Sequence, residues 1–146
     1  VPVIVDPKGT NWMKYAGADY ITPNLKEINA VLPDPIRNED QPVETAARSV
    51  MKKYQLGSLI VTRSEAGLSL ICEGEIKHIP TKAQEVFDVS GAGDTVIAVF
   101  AMGIAGGIAP VASAYLANLA AGVVVAKLGT YAVSREELLK ALEKEK

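Results

Sequence analysis

The sequence predicts an α/β fold, a mixed and mostly parallel sheet flanked by helices, and three observations carry that expectation. Short apolar, β-branched runs alternate with segments of helical spacing in the first half, which implies parallel pairing through crossover helices. A hairpin signal, Gly67 to Cys72 followed by Glu75 to Ile79 around Glu73-Gly74, adds an antiparallel piece. The last third reads as helical, and 146 residues that are 49% hydrophobic and 22% charged suit a globular domain, not a disordered or fibrous chain.

Taken in order, Val1-Pro2-Val3-Ile4-Val5 is an apolar strand stopped by Asp6-Pro7. A chain that opens in mid-strand is expected to be the later part of a longer one. Asp19 to Thr22 is a second strand, Asn24 to Val31 a short helix, and Pro42 to Tyr54 a longer one with Val43, Ala46, Ala47, Val50 and Met51 on one face. Ser58 to Thr62 is an apolar strand ahead of the hairpin, and Glu85 to Val89 a last short one. A helix then runs to about Ala105, where Gly106-Gly107 ends it. The next opens at Pro110 and runs to Lys127-Leu128, with Gly129 placed to stop it, and Ser134 with Glu137 forms the capping-box spacing of a third.

Composition excludes several functions. A net charge of -2 gives no bulk attraction to nucleic acid or to anionic lipid. The most apolar stretch, Pro110 to Leu128, is interrupted by Ser113, Asn118 and Lys127, which favours a buried helix over a membrane span. No basic-then-apolar leader is present in the sequence as given. Cys72 has no second cysteine to pair with, so a reducing compartment, the cytoplasm, is expected. His78 lacks a second ligand at metal spacing and is assigned no role, and Trp12 and Tyr15 are expected to pack.

The most informative segment is Asp88-Val89-Ser90-Gly91-Ala92-Gly93-Asp94-Thr95, in which two glycines flank an alanine where a strand or loop turns into a helix. Free N–H groups at such a helix start hold a phosphate or a developing negative charge. A carboxylate beside them, Asp94, is placed to accept the proton of an alcohol attacking phosphorus. The alternative is a tight turn in which Asp94 caps the helix or complements its dipole.

Asp88-x-Ser90-Gly91-Ala92-Gly93-Asp94 before an apolar helix resembles the C-terminal signature of the PfkB/ribokinase family of carbohydrate kinases. The resemblance implies a ribokinase-like fold, Asp94 as catalytic base, the amides of Gly91, Ala92 and Gly93 as anion hole, and Asp88 and Ser90 near a monovalent-cation (K+) site. Thr22-Pro23-Asn24-Leu25-Lys26-Glu27 resembles the family's Asn-x-x-Glu motif, which assigns Asn24 and Glu27 to Mg2+ and the ATP phosphates. The same pair also has the spacing of a helix cap. Thr62-Arg63-Ser64-Glu65-Ala66-Gly67 resembles the nucleotide loop Thr-x-Gly-x-x-Gly, giving Thr62, Ser64 and Gly67 as nucleotide contacts. Ser64 departs from the family's usual Gly, and a side chain there narrows backbone freedom. Ala117 to Gly122 with Lys127 to Thr130 resembles the adenine-side helix and loop, so Asn118 is either an adenine contact or a satisfied polar residue on a buried helix.

Within the family, Asp6-Pro7-Lys8-Gly9 and Thr62-Arg63-Ser64-Glu65 resemble the heptose-7-phosphate kinases, which make the 1,7-bisphosphate for lipopolysaccharide cores and in many bacteria are fused to an adenylyltransferase. Lys8 is either a cation near the phosphates or a solvated lysine after a proline turn. On this reading residues 1–146 are the C-terminal nucleotide-binding and catalytic half of a ribokinase-like domain, and the sugar-binding half precedes them. The implied ligands are ATP and a small phosphosugar, with a homodimer of the full-length kinase as a further expectation. The rivals are a ribokinase-like kinase of another sugar or nucleoside, a nucleotide-binding fragment without activity of its own, and a purely structural protein.

Overall fold

A computed structural model describes residues 1–82, 86 and 88–145 and divides the chain into two compact units, Val1–Pro80 and Thr81–Lys146. The first unit is a five-stranded sheet with its strands in chain order: β1 (Ile4–Val5), β2 (Tyr20–Ile21), β3 (Ser58–Thr62), β4 (Leu68–Cys72) and β5 (Glu75–Ile79). β1, β2 and β3 pair in parallel, with Ile4 opposite Tyr20 and Ile21 opposite Leu59. β3–β4 and β4–β5 are antiparallel, which makes the sheet mixed as expected. Two helices join β2 to β3, α1 (Leu25–Asn29) and α2 (Asp40–Tyr54).

These elements follow from local chemistry. Asn24 caps α1 through a complete capping box, its side chain accepting from the Glu27 N–H while Glu27 accepts from the Asn24 N–H. α2 starts two residues earlier than its sequence pattern indicates, because Pro42 is tolerated in a first turn whose N–H groups have no helical partner. It buries Val43, Ala46, Ala47, Val50 and Tyr54 and ends on Gln55 in the left-handed region at φ 56°. The core of this unit joins that face to Trp12, Ile21, Ile28, Leu59, Val61 and Ile71. Trp12, fully buried, donates from its indole N–H to the Gly9 carbonyl at 2.9 Å. The hairpin turns at Gly74, φ 81°, as its Glu-Gly signal requires.

The opening run is strand only over Ile4–Val5: the side chains of Val1 and Val3 lie exposed, although the Val3 carbonyl accepts from the Asp19 and Tyr20 N–H groups. Of the strand expected over 85–89, Glu85 and Phe87 lie outside the described residues, and Val86, Asp88 and Val89 lie in no strand.

The second unit contains α3 (Ala92–Ala105), α4 (Pro110–Val125) and α5 (Arg135–Glu143). α3 packs on α4, and Gly103 permits the approach, since a Cβ there would stand 2.5 Å from the Ser113 hydroxyl. α4 stops at Val125, short of the Lys127-Leu128 expected from its pattern. The difference has a visible cause, because Lys127 leaves the helix axis to pair with Glu137 at 3.1 Å and lies over the Tyr131 ring. α5 begins with the capping box of Ser134 and Glu137.

Two predictions follow from this packing. A Cβ on Gly57 would meet the Asp19 carbonyl oxygen at 2.6 Å, a backbone atom that cannot rotate away. Gly57→Ala is therefore expected to lower unfolding free energy by about 1–3 kcal/mol in a urea titration. Glu137 is held at about 2, below its usual 4.5, by the Ser134 N–H, the Tyr131 hydroxyl and Lys127. A carboxyl with a depressed folded-state value stabilises above about 4.5 and loses that contribution as pH falls toward 2. Thermal melts over that window are expected to fall less steeply in Glu137→Gln than in the wild type.

Candidate active site

Parallel strands deliver the loops at their carboxyl ends to one edge of a sheet, where α/β proteins bind ligands. In the first unit β1 is followed by Asp6 and Lys8 and β2 by Asn24 and Glu27, while β3 ends at Thr62 and is followed by Ser64 and Gly67. The Thr62 N–H donates to the Pro23 carbonyl at 2.9 Å, and Asn24 forms a parallel bridge with Thr62, so the pairing of β2 and β3 continues into the loops. Lys8 sits between two carboxylates, 2.8 Å from Asp6 and 3.4 Å from Glu27. These contacts, the Asp6 hydrogen bond first, raise its ammonium above the ordinary value. Tyr15 fixes the loop: its hydroxyl accepts from the Lys8 N–H at 3.1 Å and donates to the Lys8 carbonyl at 3.4 Å. Lys8, Asn24, Glu27 and Thr62 are thus brought together.

The capping reading of Asn24 and Glu27 is realised, and it engages only one of the two Glu27 oxygens. Oε2 accepts the Asn24 N–H at 2.8 Å, while Oε1 meets Lys8. Magnesium is commonly held by one or two carboxylates with substrate phosphates and water completing its shell. Glu27 and its neighbour Asp6, which the motif comparison passed over, form a donor set of that kind.

The nucleotide-type loop is a tight turn. Arg63 N–H donates to the Gly67 carbonyl at 2.8 Å, and the Gly67 N–H to the Ser64 carbonyl at 3.0 Å. Ser64 lies in the left-handed region at φ 51°, a conformation that costs a non-glycine residue about 1–2 kcal/mol. Serine here holds, at that cost, the positive φ that glycine adopts readily. Gly67 also has positive φ, 83°.

In the second unit Gly91, at φ 79°, is the N-cap of α3 and makes no side-chain cap. Asp94 is exposed in the first turn, and its carboxylate makes no hydrogen bond or ion pair with the described residues. Asp94 is therefore not the cap of α3, while its place in the first turn is the one the dipole half of the alternative requires. The Ala92 N–H is engaged by the Val89 carbonyl at 3.3 Å, whereas those of Gly91, Gly93 and Asp94 have no backbone partner among the described residues. Asp88 accepts the Ser90 N–H at 2.8 Å, and this bond first, with the Ser90 hydroxyl, pulls its carboxyl below the usual range. Asn118 is buried on α4 at 8% exposure.

The pfkB family model, described as pfkB family carbohydrate kinase, matches residues 1–137. The chain belongs to the pfkB family of carbohydrate kinases. It is 51% identical over 146 residues to the bifunctional protein HldE of Trichlorobacter lovleyi and 49% identical over 143 residues to that of Vibrio cholerae. The matches cover 99% and 97% of this chain, which spans about 30% of the length of these relatives. Among solved structures it resembles a ribokinase from Thermotoga maritima, at TM-score 0.86 and 30% identity over 97% of this chain and 49% of that one. An Arabidopsis thaliana ribokinase complexed with ribose and ATP gives TM-score 0.86 at 25% identity, over 98% and 48% of the two chains. The ribokinase-like fold is therefore that of this chain.

Sequence reading missed a group of side chains beneath the nucleotide-type loop. Arg63, 3% exposed, bonds from its guanidinium to Asn38, Asp40 and Ser69, and His78 joins them. Only the Thr62-Arg63-Ser64-Glu65 run, standing where the family commonly has Thr-x-Gly, marked the place. Because Asp94 carries no internal bond to the described residues, Asp94→Asn is expected to change unfolding free energy by at most about 1 kcal/mol, the scale of a helix-dipole effect, in denaturant titration.

Proposed function

We propose that the chain is the nucleotide-binding and catalytic half of an ATP-dependent kinase that phosphorylates a sugar hydroxyl, with heptose 7-phosphate as acceptor and the 1,7-bisphosphate as product. The observation that carries this reading is the exposed, uncapped carboxylate of Asp94 beside the unengaged amides of Gly91 and Gly93 at the start of α3. Asp94 takes the proton of the attacking hydroxyl as the new oxygen–phosphorus bond forms and the bond to ADP breaks. The amides, with the positive end of the α3 dipole, face charge on the transferring group. Asn118 is assigned to the adenine.

Asn24, Glu27, Lys8, Thr62, Ser64 and Gly67 hold the nucleotide in this reading. Asp6 and Glu27 are the carboxylates that would hold Mg2+, which when bound neutralises phosphate charge. Lys8, already shared by those carboxylates, is within reach of phosphate oxygens once they gain a metal partner. Asp88 and Ser90 are assigned to a monovalent cation, coordinated with backbone carbonyls and water, since Asp88 has oxygen lone pairs beyond the one that accepts the Ser90 amide. No described helix is long and apolar enough to cross a membrane, and an ATP-using enzyme with one free cysteine, Cys72, suits the cytoplasm.

The acceptor assignment is supported by Asp6-Pro7-Lys8-Gly9 and Thr62-Arg63-Ser64-Glu65, and by identity near 50% to relatives named as bifunctional. A homodimer and an adenylyltransferase partner domain belong to the same proposal. Its test is kinetic. In the full-length protein, with Mg-ATP and a panel of heptose 7-phosphate, ribose, fructose 6-phosphate and nucleosides, turnover is expected with the heptose. Asp94→Asn is expected to lower kcat by about 10²–10⁴. Wild-type turnover in that variant overturns the base assignment, and preference for another acceptor overturns the substrate.

A further inference from the structure

Arg63 is a charged side chain almost wholly removed from water, yet it belongs to the loop that the proposed function gives to the nucleotide. Its surroundings are built from four segments. Nε donates to Asn38 Oδ1 at 2.9 Å, and one terminal nitrogen donates to Asp40 Oδ1 at 2.7 Å and to Ser69 Oγ at 2.9 Å. Asn38 returns the contact, donating from Nδ2 to the Arg63 carbonyl at 3.0 Å and to Glu65 at 3.3 Å. The loop's first residue is therefore gripped by both backbone and side chain.

His78, on β5, closes the network. Its Nδ1 lies 2.7 Å from Ser69 Oγ and 3.3 Å from Arg63, and its Nε2 lies 2.8 Å from Glu44 on α2. With the guanidinium supplying only donors, the consistent pattern has Ser69 accepting from Arg63 and donating to Nδ1, while Nε2–H donates to Glu44. Asp40 lies 3.6 Å from Nδ1, so the charged groups around the imidazole are Arg63, Asp40 and Glu44. Each buried side-chain polar atom among the described residues has a partner.

We propose that Arg63 is a positioning residue for nucleotide binding: held by Asn38, Asp40, Ser69 and His78, it fixes the turn that presents Thr62, Ser64 and Gly67. The physical ground is that Ser64, next in the chain, persists at positive φ only where its surroundings over-determine the backbone. The anchored guanidinium, the Asn38 bond to the Arg63 carbonyl and the Arg63–Gly67 bond supply that constraint. A lysine in its place keeps the charge but loses the fork that meets Asn38 and Asp40 together. The inference rests on the reading of residues 62–67 as the nucleotide loop.

The test is calorimetric titration of Mg-ATP into the full-length protein and its variants, each checked by circular dichroism for folding. Arg63→Gln and Asn38→Ala are each expected to weaken affinity about tenfold, the loss of one charge-assisted hydrogen bond, and Arg63→Lys to recover little. His78→Asn, whose amide oxygen stands where Nδ1 accepts, is expected to keep near-wild-type affinity, while His78→Leu falls with the Arg63 variants. That split between two neutral replacements at one strand position distinguishes positioning from a general loss of stability. If Arg63→Gln does not fold, Asn38→Ala and the two His78 variants decide. Gly67→Ala is the control for the underlying reading. If it weakens binding while the Arg63, Asn38 and His78 variants that fold do not, the loop holds its shape without the guanidinium and the inference is overturned. If Gly67→Ala also leaves binding unchanged, the nucleotide-loop reading fails, and the inference with it.

Discussion

The parallel register of β1, β2 and β3 is the constraint on which the first unit's chemistry depends. Parallel strands cannot be joined by a tight turn, so the chain must return before each new strand, here through the Trp12–Tyr15 turn and through α1 and α2. The return sets all three carboxyl ends on one side. Asp6, Asn24 and Thr62 then emerge together, although 18 and 38 positions separate Asp6 from Asn24 and Asn24 from Thr62. Had β3 run the other way, Thr62 would open at the opposite edge. The β4–β5 turn lies at the opposite edge, whereas β5 runs in the direction of β3 and its carboxyl end, Ile79, comes back level with Thr62; the two strands supply Ser69 and His78 to Arg63.

Such a site cannot be held by the sheet alone, because β1 and β2 are two residues each. Polar pins do the holding. Tyr15 clasps the backbone of Lys8 on both sides, the Asn24–Glu27 box fixes the entry to α1, and Asn38 with Arg63 fixes the turn after β3. Each pin acts on backbone groups that would otherwise face water without a partner, and backbone atoms are the part of a loop least able to adapt through side-chain rotation. The arrangement preorganises the donors that would meet a phosphate while leaving them exposed.

What the sequence revealed and what it concealed divide by distance along the chain. The two capping boxes, the Glu73-Gly74 turn and the limits of β3 were readable because their determinants lie within three or four residues. The Gly91–Asp94 segment was readable as a helix start for the same reason, and its chemistry only through the family motif. The start of the first strand misled, since apolar character does not show where pairing with a distant partner begins: Val1 is fully exposed, and Val3 bonds to Tyr20 while its side chain stays in solvent. The Arg63 network was invisible: its bonds join residues 25 apart to Asn38, 23 to Asp40 and 15 to His78, and Glu44 lies 34 from His78. Arg63 also reads as a surface charge, since a buried arginine betrays itself only by partners that no periodicity reveals.

The proposed roles fall unevenly on the two units, and that division has a kinetic meaning. The candidates in the first unit, Lys8, Asn24, Glu27, Thr62, Ser64 and Gly67, are binding groups, whereas Asp94 and the amides beside it in the second are the groups whose interaction grows as charge develops. Interactions equal in ground and transition states set affinity without raising kcat, while those that strengthen during reaction raise it. A proton acceptor also gains nothing from being held by the fold, since an internal partner would have to be surrendered as it takes up the proton. The two kinds of group are accordingly built in opposite ways here. The binding loops are pinned by a capping box and a buried guanidinium, and the carboxylate proposed to do chemistry stands at the start of α3 with no partner among the described residues.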